Sequence, residues 1–166
     1  CLFVVVAFPT LVMWEYSIQA NAEAKEFLTA QSVITPEDKT ASLVLVENGL
    51  RFHSLPMTQM NNYLGIEKNA VVWDNYEIGH YLFPVVARNP ADKQFVFEFT
   101  QRNAFFDPNR NFDEQLEKFD ACLEENHGKI TALIFWGKDA RVEAVLGKWF
   151  APVFENGRVR AFRHKP

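Results

Sequence analysis

From Leu2 to Trp14 the chain reads LFVVVAFPTLVMW without a single charge, and at Glu15 it turns abruptly polar. A helix needs about 20 apolar residues to cross a bilayer, so this run is too short to span one alone. Trp14 and Tyr16 stand where it ends, the place where ring systems settle among headgroups. The pattern predicts that residues 1–14 are the end of a transmembrane helix, and the lack of an initiator Met predicts that its front half has been cut away. Pro9 is tolerable there when Thr10 or a neighbouring helix satisfies the freed backbone groups. A buried core strand or helix is the competing reading of the same run. A signal-peptide core fits less well, because no basic front region or small-residue cleavage site flanks it.

Beyond Glu15 the period changes. Tyr16, Ala20, Ala24 and Leu28, with Phe27 beside them, repeat at helical spacing and predict an amphipathic helix that continues the apolar run and stops before Thr35-Pro36-Glu37-Asp38. Ser42 to Glu47 (SLVLVE) predicts a central strand closed by the turn Asn48-Gly49. Thr58 to Lys68 reads as a helix and Ala70 to Trp73 as a second buried strand ending at Asp74. Phe95 to Phe99 (FVFEF) alternates after the breaker Asn89-Pro90 and reads as a third strand. A loop is expected at Phe106-Asp107-Pro108-Asn109. Asn111, with Glu114 three positions on, resembles a helix cap with its reciprocal acid, and Phe112, Leu116, Phe119 and Leu123 mark that helix's buried face. Asn126-His127-Gly128 stops it, Ile130 to Trp136 (ITALIFW) is the clearest buried strand, and Asp139 caps a helix running to Trp149. Val153 to Phe162, broken by Asn156-Gly157, predicts a closing hairpin. Helices and strands alternating in this way predict one α/β domain over residues 15–166: small, three-layered and Rossmann-like, with a mainly parallel sheet and an antiparallel C-terminal hairpin.

Composition narrows the partners. With 166 residues, 48% of them apolar, the chain can build a core that needs no disulfide or metal. A net charge of −4 gives no reason to bind a polyphosphate backbone, so nucleic acid is not expected. Cys1 and Cys122 cannot form a secreted-type disulfide framework. Cys1 as a lipidated terminus is disfavoured, since the apolar stretch follows it instead of preceding it. Cys122 has no local cation or partner His and reads as an inert core thiol. The first basic residue is Lys25, which under the positive-inside rule puts the soluble part outside, periplasmic or extracellular. Arg158, Arg160, Arg163, His164 and Lys165 make a basic end, expected to solubilise an edge strand, with lipid headgroups as the alternative contact.

The familiar chemical motifs are missing. There is no Gly-x-Gly-x-x-Gly, no phosphate loop ending in Gly-Lys-Ser or Gly-Lys-Thr, no Cys-x-x-Cys, no His-Glu-x-x-His and no Gly-x-Ser-x-Gly. His53, His80, His127 and His164 are widely spaced, so neither a metal site nor a cofactor is expected. The densest polar-aromatic stretch is Trp73 to Tyr81, after a strand, where α/β sheets gather ligand-binding loops. Asp74, Glu77 and His80 could supply acid, base or hydrogen-bonding groups, and Tyr76 could stack on a sugar or headgroup. With Asn75 beside them, and His53 facing the same loop if the first two strands are neighbours, these six residues form the candidate ligand or interaction surface. The plainer reading, a loop in which Asp and Asn hold a turn while Tyr and His pack, is preferred over catalysis.

The apolar exit, the helix, the short strand, RFHSLPMTQMNNYLGIEKNAVVWDNYEIGHYLFPV and the closing ALIFWG and GRVRAFRH resemble, across most of Glu15 to Pro166, the end of polytopic membrane glycosyltransferases of the dolichyl-phosphate-mannose mannosyltransferase superfamily. The resemblance is one of pattern, strongest from His53 to Pro84. It implies a parent that transfers a sugar from a polyprenyl-phosphate donor, with its catalytic carboxylate in an early external loop that this chain does not contain. It assigns no catalytic residue here. The implied role of the domain is to cover the membrane cavity, help admit a lipid-linked sugar or acceptor, or stabilise the assembly. A membrane-anchored binding module without transfer chemistry is the second expectation. A self-contained enzyme using Asp74, Glu77 and His80 is the third, and would need those groups to converge in one pocket.

Overall fold

A computed structural model of the chain describes residues 2–45, 60–73, 95–96, 99, 105–106 and 111–166. Helix α1 (Leu2–Leu28) joins the apolar run and the amphipathic stretch into one rod of 27 residues, about 40 Å long. A 3-10 turn (Thr29–Val33) ends it, and the Thr29 and Ser32 hydroxyls donate to the carbonyls of Glu26 and Thr29, satisfying groups a helix end leaves open. Strand β1 (Lys39–Leu45), helix α2 (Met60–Lys68) and the short strand β2 (Val71–Val72) follow. Then come β3 (Phe105–Phe106), α3 (Phe112–Asn126), β4 (Ala132–Trp136), α4 (Ala140–Trp149), and the hairpin of β5 (Phe150–Asn156) and β6 (Val159–His164).

The sheet is mixed. Its path is β2-β1-β4-β6-β5, with β3 also on β1. β2 and β3 pair parallel with opposite ends of β1, and β4 lies parallel along its length, from Thr40↔Ala132 to Val44↔Trp136. β6 is antiparallel to β4 and to β5, as a tight turn between consecutive strands requires. The turn works because Gly157 takes a φ of +57°, and a Cβ there would collide with the Glu26 carboxylate.

Alternation along β1 and β4 explains why both faces are covered. Ala41, Leu43, Leu133 and Phe135 enter one apolar cluster with Phe119 and Leu123 of α3, Val142 and Leu146 of α4, Phe150 and Phe162. Val44, Ala132, Ile134 and Trp136 enter a second with Phe27 and Ala30 of the first helical segment, Met60 and Leu64 of α2, and Val159. All five residues of β4 are buried, as expected of an apolar run without polar alternation.

Several local expectations need correction. Phe95 and Val96 are helical, not extended. Phe95 and Phe99 are four apart, and their rings meet at 5.7 Å, with Phe99 also against Phe119. That spacing serves one helix face, and an alternating string of aromatics conceals it. Among the described residues of this region a strand is found at Phe105–Phe106, at the start of the expected loop. The basic end does not lie on an edge either, because β6 is inserted between β4 and β5. Arg160, 7% exposed, pairs with Glu143 of α4 and Glu155 of β5. Arg163 reaches the buried Asp38. These arginines tie layers together where solubilising charges had been expected.

Candidate functional site

The residues expected to form the ligand or interaction surface, His53, Asp74, Asn75, Tyr76, Glu77 and His80, lie outside the described residues. What the structure places is the frame from which they depart. β1 and β2 are neighbours, but the stretch that holds His53 departs after Leu45 at the carboxyl end of β1, whereas Trp73 lies beside Thr40 near its amino end. Trp73 anchors the start of the Trp73 to Tyr81 stretch. Its backbone N–H donates to Thr40 O at 2.8 Å, its indole N–H to Lys129 O at 2.8 Å, and its ring meets Phe95 edge-on at 5.3 Å.

The sheet has two ends that matter. At the carboxyl end of β4, Arg158 in the β5–β6 turn lies over the Trp136 ring at 4.7 Å, pairs with Glu23 of α1 at 3.2 Å, and donates its backbone N–H to Glu26. Phe27 meets Trp136 at 6.1 Å. Ten residues on from Glu23, Val33 O accepts from Arg163 at the amino end of β4, where Arg163 pairs with Ala132. The chain from Glu23 to Val33 therefore runs down the sheet from its carboxyl to its amino end. Since α1 is unbroken, its earlier residues extend past the carboxyl end. On that extension Leu11, Met13, Trp14 and Ile18 are between 57% and 68% exposed. Among the described residues no helix is long and apolar enough to cross a membrane.

The amino end carries a polar knot. Asp38 is buried and accepts from the Thr35 N–H at 2.7 Å, the Thr35 hydroxyl at 3.0 Å, the Thr131 hydroxyl at 2.8 Å and Arg163. Burial by itself would push this carboxyl up. The Thr35 N–H, Arg163 and the two hydroxyls outweigh that and hold it below its ordinary range. Thr131 Oγ1 also accepts from Lys39 N at 2.9 Å, binding the starts of β1 and β4 to the last strand. A carboxylate so fully hydrogen-bonded, at the end opposite to where α/β sheets hold ligands, is a clasp and not a catalytic acid.

Beside it, on the opposite face of the sheet, His127 and His164 meet with Nδ1 and Nε2 2.7 Å apart. His127 stacks on Trp149 at 4.1 Å and 12°. Burial, and then the charge of His127, pushes the His164 imidazole down. Sequence reading missed both assemblies: each joins residues from distant segments, and no local spacing signals them. Among the described residues no group of three or more His, Cys, Asp or Glu side chains is arranged to hold a metal. Cys122 is partly buried against the first apolar cluster. Comparison with protein-family models, with curated proteins and with solved structures finds no match for this chain.

Proposed function

We propose that this chain is the membrane-proximal domain of a membrane protein, seated on the bilayer by α1, and that it acts by binding or covering and not by catalysis. The observation that carries this is the projection of α1. Large apolar side chains are exposed only at a cost in water, and here Leu11, Met13, Trp14 and Ile18 stand exposed together on the part of α1 that extends past the carboxyl end of β4. Leu11, Trp14 and Ile18, at spacings of three and four, line one side of that rod. Leu11 lies twelve residues before Glu23, about 18 Å along the helix axis from the Glu23–Arg158 contact. This is a reach suited to holding a domain just above a headgroup layer. The same geometry turns the carboxyl ends of β1 and β4 toward the bilayer. The chain into residues 46–59, with His53, leaves from that side. A small three-layer Rossmann-like arrangement is the finer description that the two apolar clusters favour.

In its narrower form the proposal makes the parent a glycosyltransferase that uses a polyprenyl-phosphate sugar donor, with this domain extracytoplasmic and accessory. That form rests on the sequence resemblance alone. Flotation with phosphatidylcholine vesicles tests the broader form. The chain should rise with the lipid and its tryptophan emission should shift to the blue, while a Leu11→Gln, Trp14→Gln, Ile18→Gln variant stays behind, its stability within about 0.5 kcal/mol of the parent as for exposed sites. A wild-type chain that does not float would overturn the reading.

A further inference from the structure

His127 is the C-cap of α3, and His164 is the last residue of β6. A bond between two imidazole nitrogens needs one N–H and one bare nitrogen. The contact of 2.7 Å between Nδ1 of His127 and Nε2 of His164 can therefore exist when the pair is neutral or carries one extra proton, but not when both rings are protonated. Two imidazoliums at that distance present donor to donor and charge to charge.

The surroundings offer no relief. Trp149 covers His127, and Phe150 meets His164 edge-on at 5.6 Å. The neighbouring charges are cations or already engaged. Lys129 donates to Asn126 Oδ1 and lies over Phe95, Lys165 donates to Gly147 O, and Lys148 pairs with Asp120. Arg163, next in sequence to His164, is turned to Asp38 on the other face. Among the described residues no carboxylate is hydrogen-bonded to either ring. A second positive charge at the pair therefore has no anion hydrogen-bonded beside it among the described residues.

The pair joins three segments: the α3–β4 junction through His127, the α4–β5 junction through Trp149 and Phe150, and the end of β6 through His164. Its backbone frame is two further bonds, His164 N–H to Thr131 O at 3.0 Å and Lys165 N–H to Trp149 O at 2.9 Å. We propose that the His127–His164 pair is an acid-released clasp: double protonation parts the rings and frees the end of β6 from both junctions. The proposal is independent of the membrane reading.

Imidazole NMR on the whole chain from pH 8 to pH 4.5 tests it. His164 should titrate below the free-histidine value of about 6.5. The Trp149 indole and the amides of residues 163–166 should shift with the same midpoint, and exchange of the Lys165 amide, corrected for its intrinsic pH dependence, should quicken by about tenfold per pH unit below it. His127→Gln should return His164 toward 6.5. If that variant does not fold, His164→Gln, whose amide still donates and accepts without titrating, should abolish the acid response of the Trp149 indole. A His164 titrating at the free value, or a Trp149 and Lys165 response unchanged in His164→Gln, would overturn the clasp.

Discussion

Asp38 shows how one carboxylate can organise a fold without doing chemistry. It receives hydrogen bonds from Thr35, Thr131 and Arg163, residues from three separate stretches of the chain. Removing one partner of a buried ion pair leaves the other uncompensated and costs about 3–5 kcal/mol. Arg163 keeps about a third of its side chain exposed and can rehydrate, so Asp38→Ala should lie near the low end, about 3 kcal/mol, in urea unfolding. A loss under 1 kcal/mol would show that the knot is ornamental. Arg160 differs: Glu143 and Glu155, which pair with it, keep 33% and 58% of their side chains exposed and can rehydrate, so its truncation should cost less.

Among the elements, the caps separate helices of unequal security. The Asp139 carboxylate accepts from the Arg141 and Val142 N–H groups at 2.9 and 3.3 Å, whereas Asn111 accepts from Glu114 N–H at 3.4 Å. Cap deletions cost about 0.5–2 kcal/mol, so Asp139→Ala should approach the upper part of that range and Asn111→Ala the lower. Equal losses in paired thermal melts would contradict the geometry. α1 divides differently. Its last turn is core, with Phe27 fully buried, while Leu11, Met13, Trp14 and Ile18 are exposed. Polar substitution of these four residues should therefore weaken lipid binding in the flotation assay and leave folding intact.

For the whole molecule the two faces of the sheet, at its amino end, are coupled to pH in different windows. His164 has a folded pKa below its unfolded value, so the stability held by its neutral ring is complete above about pH 6.5 and is lost as pH falls toward the folded value. Asp38 is likewise depressed, and its contribution is complete above its unfolded value of about 3.9 and lost as pH falls through the lower folded one. Urea midpoints across pH should then decline in two steps. His164→Gln should erase the upper step and Asp38→Asn the lower. A single step unaffected by either change would refute the assignment.

Where a residue's neighbours in sequence are also its partners in space, the sequence was enough. The Asn111 and Asp139 caps, the apolar run of β4, the Gly157 turn and the continuous period of α1 follow from spacings of two to four residues, because backbone geometry sets those contacts. An α/β fold with a closing hairpin follows from their order. Only the tertiary structure decided the order of the strands, that Phe95 and Phe99 share a helical face, and that Arg160 and Arg163 pair with acids on other elements. It alone brought His127 to His164 and Asp38 to Thr131 and Arg163, separated by 37, 93 and 125 residues. Such contacts depend on the register of β4 against β1 and β6, and register is a property of the assembled sheet. The apolar opening belongs to both: its chemistry is written in thirteen consecutive residues, and its projection from the carboxyl end of the sheet comes from Glu23 and Glu26 meeting Arg158.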